Sequence, residues 1–347
     1  MGFVDASSND YLGLAGLDVS RETGVQGSDL GAGASRLIHG SRDAHVRLEE
    51  ALAAWVSLPS SLLATSGYAA NVGLLGALGR AGSTIVSDRL NHASIIDGCR
   101  LSRAQVVVTP HLDLRAIDAA LNAAAGATTR WVVVESCYSM DGDGPDLAEV
   151  RAVCDRHHAG LIVDEAHSLG VFGPQGAGRC AEAGVVPDVL VGTLGKAVGS
   201  QGAFIAGSVP LRTLLWNDAR SFVFSTAPSP RLSAWTLLHV ERARRANDRR
   251  TILFERARAL RDALAARGVA VEAGLGGAIV PVLVGDNERV LAVVAELEHA
   301  GILAQGIRPP TVPVGTARLR VTVTASWTPD APSRVADAIV RALQHPG

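Results

Sequence analysis

The sequence predicts an α/β protein with a large, mostly parallel sheet covered by helices on both faces, followed by a smaller α+β C-terminal domain. Three observations carry this expectation. Short apolar runs alternate with amphipathic helical stretches, the pattern of repeated βα units. The pattern changes past residue 240, where two alternating segments flank one helix. A chain of 347 residues, 48% hydrophobic and 19% charged, also has enough apolar material for one large domain or two moderate ones.

In chain order, the expected strands are Thr84–Asp88, Ala104–Val108, Trp131–Glu135, Leu161–Asp164, Val189–Thr193 and Gly202–Ala206. Each is a short apolar run bounded by polar or glycine-bearing segments. Helices fit between them at 44–56, 69–80, 113–124 and 146–158, where apolar residues recur at helical spacing. A long helix rich in Arg, Ala and Glu is expected through Arg242–Arg267. Beyond it, Ala278–Val284 and Ala317–Val323 alternate like strands around a helix at 287–300. The domain reading follows: an N-terminal segment 1–26 packing on the small domain, a large domain 27–240 and a small domain 241–347.

Composition removes several classes of function. A net charge of −2 offers no basic footprint for nucleic acid. The ten histidines show no metal-ligand spacing, so no metal site is expected. Cys99, Cys137, Cys154 and Cys180 form no CxxC pair and are expected to be reduced and buried, as in a cytoplasmic protein. No apolar run reaches the ~18 residues that span a bilayer. The first residues lack the basic and apolar regions of a signal peptide.

Lys196 is the only lysine in the chain; the other 31 of its 32 Lys and Arg residues are arginine. Arginine supplies charge and ion pairs but stays protonated, so it cannot act as an amine nucleophile. A single lysine in the turn Gly192-Thr193-Leu194-Gly195-Lys196, after an apolar strand, points to Schiff-base chemistry. A coding bias toward arginine explains the scarcity of lysine but not the position of this one.

Three other segments gain meaning beside it. Thr65-Ser66-Gly67-Tyr68 opens a helical pattern, where backbone N–H groups and the helix dipole suit a phosphate; by itself such a Ser-Gly is more often just an N-cap. In Val163-Asp164-Glu165-Ala166-His167, a carboxylate at a strand end could pair with a protonated pyridine nitrogen, and His167 could reach a ring oxygen. A capped helix with a satisfied histidine is the competing reading. His92, in Asn91-His92-Ala93-Ser94, could stack on a planar ring or be an ordinary loop histidine. Together, a phosphate cradle, an aromatic face, an aspartate and an amine suit pyridoxal 5′-phosphate (PLP).

The motifs resemble those of the α-oxoamine synthase family, over nearly the whole chain. They are Ser8-Asn9-Asp10-Tyr11-Leu12-Gly13, Gly33-Ala34-Ser35-Arg36-Leu37, Ser66-Gly67-Tyr68-Ala69-Ala70-Asn71, Asn91-His92-Ala93-Ser94, Glu135-Ser136-Cys137-Tyr138-Ser139, Val163-Asp164-Glu165-Ala166-His167 and Thr193-Leu194-Gly195-Lys196. The segment Ile307-Arg308-Pro309-Pro310-Thr311, continuing to Arg320, together with Gly285-Asp286-Asn287, is most similar to the 8-amino-7-oxononanoate branch.

The resemblance implies the aminotransferase-like PLP fold (fold type I), a shared active site in a homodimer, and a role for each matching residue. Lys196 would carry the cofactor as a Schiff base, and Asp164 would hold its ring nitrogen. His167 and Ser139 would bond the ring oxygen, and His92 would stack on the ring and touch substrate. Ser66, Gly67, Tyr68 and Thr193 would face the phosphate, joined by Thr226 across the subunit boundary. Glu135 would lie beside the reacting centre. Arg320 with Asn9 would hold the amino-acid carboxylate, and Thr311 and Arg308 would line the acyl side. The implied reaction is a decarboxylative condensation of L-alanine with pimeloyl-CoA or a pimeloyl-carrier protein. Another α-oxoamine synthase with different substrates, a PLP-binding regulator and a catalytically dead scaffold are the alternatives. The chain departs from the family in starting almost at Ser8-Asn9-Asp10-Tyr11, where members carry a further helix, and in the turn Gly199-Ser200-Gln201-Gly202.

Overall fold

The structure, a computed structural model, describes residues 3–17 and 30–344. Its contacts divide the chain into two compact units: Leu14–Cys137 with Gly144–Arg245, and Met1–Gly13 with Tyr138–Asp143 and Ala246–Gly347. The boundary expected at 26–27 lies outside the described residues. The C-terminal part of the smaller unit begins at Ala246, and that unit also takes in residues 138–143, a short excursion that linear reading of the sequence does not reveal.

The larger unit is built on a seven-stranded sheet. Across it lie Ser60–Ala64, Ala203–Gly207, Val189–Thr193, Gly160–Asp164, Arg130–Glu135, Thr84–Asp88 and Gln105–Thr109. Ala203–Gly207 runs antiparallel to both neighbours, and the remaining pairings are parallel. Alternate residues of the central strands feed two separate cores. Val133 and Ile162 join Leu74, Leu75 and Ile95 on one face. Val132, Val134, Leu161 and Val163 join Ile117, Leu121, Val150 and Val153 on the other. This period-two division is why both faces carry helices and why the strands read as continuous apolar runs. Each such aliphatic side chain contributes about 1.5–3 kcal/mol on full burial.

The strand Ser60–Ala64 escapes the sequence reading because it is short and two of its five residues are serine. Buried charge secures it. Glu49 accepts the Leu63 N–H (2.9 Å) and pairs with Arg36 at 2.8 Å and Arg212 at 3.1 Å. The single helix expected through Arg242–Arg267 is two helices, Pro230–Arg245 and Asn247–Ala266. Ala246 between them has ψ 45°, outside the helical range. An unbroken Arg/Ala composition conceals that break, since neither Gly nor Pro marks it.

In the smaller unit, Gln305–Ile307, Ala317–Thr322 and Ile279–Gly285 form an antiparallel sheet in that order. Helices Asn287–His299 and Ala331–Gln344 belong to the same unit. The N-terminal residues are tied in here. Val4–Asp5 pairs in parallel with Ile302–Leu303, Trp327 donates to the Asp5 carbonyl (2.7 Å), and Arg249 donates to the Leu12 carbonyl (2.8 Å). Among the described residues, all four cysteines are buried and none is in a disulfide, and no helix is long and apolar enough to cross a membrane.

Candidate active site

Parallel strands end together, so their C-terminal ends deliver side chains to one edge of the sheet. Glu135 and Asp164 are the last residues of adjacent strands and are register partners. Val191, two residues before Thr193, is the next partner across. Lys196 lies in the turn that follows. Leu194 N–H donates to the Gly202 carbonyl (2.9 Å), Ser200 N–H to the Leu194 carbonyl (2.8 Å) and Gly199 N–H to the Lys196 carbonyl (2.8 Å). Gly199 has φ +69°, and a Cβ there would sit 2.5 Å from the Ala15 nitrogen, so the turn demands glycine at that position.

The Lys196 Nζ lies 2.7 Å from His167 Nε2. Asp164 is buried, and its two oxygens accept from the Ala166 N–H (2.9 Å) and from Asn71 Nδ2 (2.8 Å). Both donors are neutral groups. Glu135 Oε1 accepts the His92 backbone N–H at 2.5 Å. Burial first, then the neighbouring Asp164, pushes the Glu135 carboxyl up to about 8, against the opposing pull of Lys196 and the His92 N–H.

His92 caps the helix Ala93–Leu101. Its Nδ1 is 2.8 Å from Ser94 Oγ and accepts the Ser94 N–H at 3.2 Å, while much of the residue remains exposed. Partial burial holds its pKa below the ordinary histidine value, with Lys196 adding to the effect and Asp164 opposing it. The loop that carries His92 is shaped by Asp88, which accepts the N–H groups of Leu90 and Leu112, each at 2.8 Å.

At the other end of the site, Ser66 caps the helix Gly67–Leu78, its Oγ accepting the Ala69 N–H at 3.1 Å. A Cβ on Gly67 would lie 4.0 Å from Thr193, so the helix N-terminus and the strand end face each other across a gap. Tyr68 is exposed and its hydroxyl donates to Asp97 at 2.6 Å. Thr226 forms an isolated antiparallel bridge with Ser35 and lines a small cleft with Thr65.

The larger unit therefore brings together Lys196, His167, Asp164, His92 and Glu135, with Ser66, Gly67 and Thr193 at the helix start. Two further residues belong with them: Asn71 and Ser94, both buried. The signal for Asn71 is an amide one turn after Gly67 in an otherwise apolar helix, the i, i+4 position on the same face. Ser139, Asn9, Arg308, Thr311 and Arg320 lie in the smaller unit. There Arg320 is 3% exposed and donates to Asn9 Oδ1 (3.0 Å), to the Ser139 carbonyl (2.5 Å) and to Thr322 Oγ1 (3.2 Å). Arg308 and Thr311 sit on one exposed turn closed by the Thr311 N–H donating to the Arg308 carbonyl at 3.0 Å.

The chain is similar to known proteins over nearly its whole length. Residues 2–339 match the family model for aminotransferase class I and II. The 8-amino-7-oxononanoate synthase of Marinobacter nauticus is 43% identical, over 97% of this chain and 85% of its own. That of Anaeromyxobacter dehalogenans is 45% identical, over 93% and 82%. The solved serine palmitoyltransferase of Sphingomonas wittichii superposes with a TM-score of 0.93 at 30% identity, over 98% of this chain and 87% of that one. The chain belongs to the aminotransferase class I and II family, and within it to the α-oxoamine synthases. Its fold is the type I aminotransferase-like fold.

Proposed function

We propose that the chain is a PLP-dependent acyltransferase. It would condense L-alanine with pimeloyl-CoA or a pimeloyl-carrier protein, giving 8-amino-7-oxononanoate, CO₂ and the free thiol, as a step of biotin biosynthesis. The observation that carries this reading is the sole lysine of the chain, 2.7 Å from His167, in a protein 43–45% identical to 8-amino-7-oxononanoate synthases.

The residues present fit the cofactor. The gap between Gly67 and Thr193, at a helix N-terminus capped by Ser66, suits a phosphate. Asp164 is a buried carboxylate whose hydrogen-bond donors are neutral, which suits a cationic ring nitrogen. PLP, when bound, supplies an aldehyde for amines and a ring that takes up the electron pair left at Cα.

The chain's own groups do the rest. Lys196 would hold the cofactor through its amine and, when that amine is free, would take the alanine Cα proton. Asp164 keeps the ring nitrogen protonated, and His167 and Ser139 are assigned to the ring oxygen. His92 offers a ring face for stacking, and its Nδ1 edge is already engaged with Ser94. Glu135, its carboxyl held up at about 8, stays protonated at neutral pH and adds no second negative charge beside Asp164. Thr193, Ser66, Gly67 and Tyr68 are assigned to the phosphate, with Thr226 reaching that of a second copy in a cytoplasmic homodimer. Arg320, steadied by Asn9, is assigned to the amino-acid carboxylate, and Arg308 and Thr311 to the acyl substrate.

A mass-spectrometric product assay tests the proposal, with L-alanine, glycine and L-serine each offered alongside pimeloyl-CoA, pimeloyl-carrier protein and palmitoyl-CoA. Product is expected from L-alanine with a pimeloyl thioester. Turnover only with another pair would transfer the chain to a different α-oxoamine synthase activity, and no turnover with any pair would contradict an enzymatic role.

A further inference from the structure

A chain of hydrogen bonds runs behind the residues assigned to catalysis. Asn71 Nδ2 donates one hydrogen to Asp164 Oδ2 (2.8 Å) and the other to Ser94 Oγ (2.9 Å). Ser94 Oγ, which accepts from Asn71, lies 2.8 Å from His92 Nδ1. The Ser94 backbone N–H aims at the same nitrogen at 3.2 Å. An Nδ1 that accepts this N–H holds no proton, so the neutral ring carries its hydrogen on Nε2 and the Ser94 hydroxyl turns its own hydrogen toward Nδ1. The His92 backbone N–H closes the path on Glu135, the sheet partner of Asp164. Asn71 is 2% exposed and Ser94 0%, so water does not compete with either link.

We propose that Asn71 is a positioning residue that fixes Asp164 and His92 together, through Ser94, before any cofactor arrives. An amide suits this position because it has two donors for two acceptors that lie on different elements. Asn71 is on the helix Gly67–Leu78, Asp164 ends a central strand, and Ser94 opens the helix Ala93–Leu101. An aspartate here would set a carboxylate against Asp164, and a leucine of similar shape would supply no donor. Ser94 acts as the relay, because a hydroxyl can accept on one side and donate on the other. The inference rests on the PLP reading for its purpose but not for its geometry, which belongs to the cofactor-free chain.

The test compares wild type with Asn71→Leu, Ser94→Ala and the double variant, by two measurements. The first is the ring ¹³C spectrum of His92 in cofactor-free protein, which reports the tautomer and is assigned by its loss in His92→Gln. The second is the dissociation constant for PLP. Wild type should show His92 with its proton on Nε2, and both single variants should displace that signal. Loss of the bond to the charged Asp164 should raise the PLP dissociation constant about 10- to 100-fold in Asn71→Leu. Ser94→Ala should raise it a few-fold, and its effect should shrink in the Asn71→Leu background, because the two act in series. A wild-type His92 protonated on Nδ1, strictly additive effects, or a lowered melting temperature with an unmoved His92 signal would overturn the proposal. Should Asn71→Leu not fold, an unmoved His92 signal in Ser94→Ala overturns it alone. Failure of wild type to bind PLP would contradict the proposed function, while the cofactor-free spectra still decide the link.

Discussion

At the scale of single residues, the site is an arrangement of charges that only partly cancel. Asp164 accepts from two neutral donors, and burial, then Asp164 itself, raises the carboxyl of its neighbour Glu135 to about 8. The consequence for stability has a definite sign. Between the ordinary carboxyl value of 4.5 and about 8, the folded chain keeps a proton at Glu135 that the unfolded chain has released. The contribution of this group to stability is therefore most favourable below 4.5 and declines as pH rises toward 8. Glu135→Gln removes that slope. Cofactor-free wild type should lose more melting temperature than Glu135→Gln between about pH 5 and about pH 8.5. Parallel losses measured by differential scanning calorimetry would show that the carboxyl is ionised at neutral pH.

Residue identities at this scale were legible in the sequence to different degrees. Lys196 stands out because few tasks require a lone amine, and Asp164 and His167, which alone could be a helix cap and a satisfied histidine, gain their meaning beside it. Asn71 and Ser94 do not, since a buried amide and a serine near a helix start have many ordinary uses. What distinguishes them is three-dimensional: two hydrogen bonds to elements 23 and 93 residues away. The resemblance assigns Arg320 to an amino-acid carboxylate, and in the cofactor-free chain its donors meet an amide oxygen, a carbonyl and a hydroxyl. Neutral partners of that kind orient a guanidinium without discharging it.

At the scale of elements, the helix Gly67–Leu78 links fold and site. Its first turn is capped by Ser66, its apolar body packs Leu74 and Leu75 into the core, and Asn71 projects toward the strand end. Gly67 is not required by crowding in the protein itself, because the nearest atoms to an added Cβ are 4.0 Å away. Gly67→Ala should therefore leave the cofactor-free melting temperature unchanged or slightly higher, as alanine favours a helix by up to about 1 kcal/mol. It should weaken PLP binding by at least about tenfold if the phosphate approaches the helix start closely. Equal affinity, measured by equilibrium dialysis, would place the phosphate elsewhere. Long apolar strands were readable as elements because burial on both faces leaves continuous Val/Ile/Leu runs. The strand Ser60–Ala64 and the break at Ala246 were not, because one depends on the Glu49 carboxylate and the other on a single backbone angle.

At the scale of the whole molecule, the chain folds as two units, one carrying the lysine and its partners and the other the Arg320–Asn9 pair. The chain crosses between them more than once, at residues 13, 138–143 and 246, which a reading by linear segments cannot anticipate. The central claim is that Lys196 carries PLP, and the composition makes it open to an unusually direct test. The protein should be incubated with PLP, reduced with borohydride, digested and mapped by mass spectrometry, with Lys196→Arg as control. One pyridoxyl group on the peptide containing Lys196, absent from a folded control, is the expected result. An unmodified Lys196, or label confined to the α-amino terminus, would contradict the account.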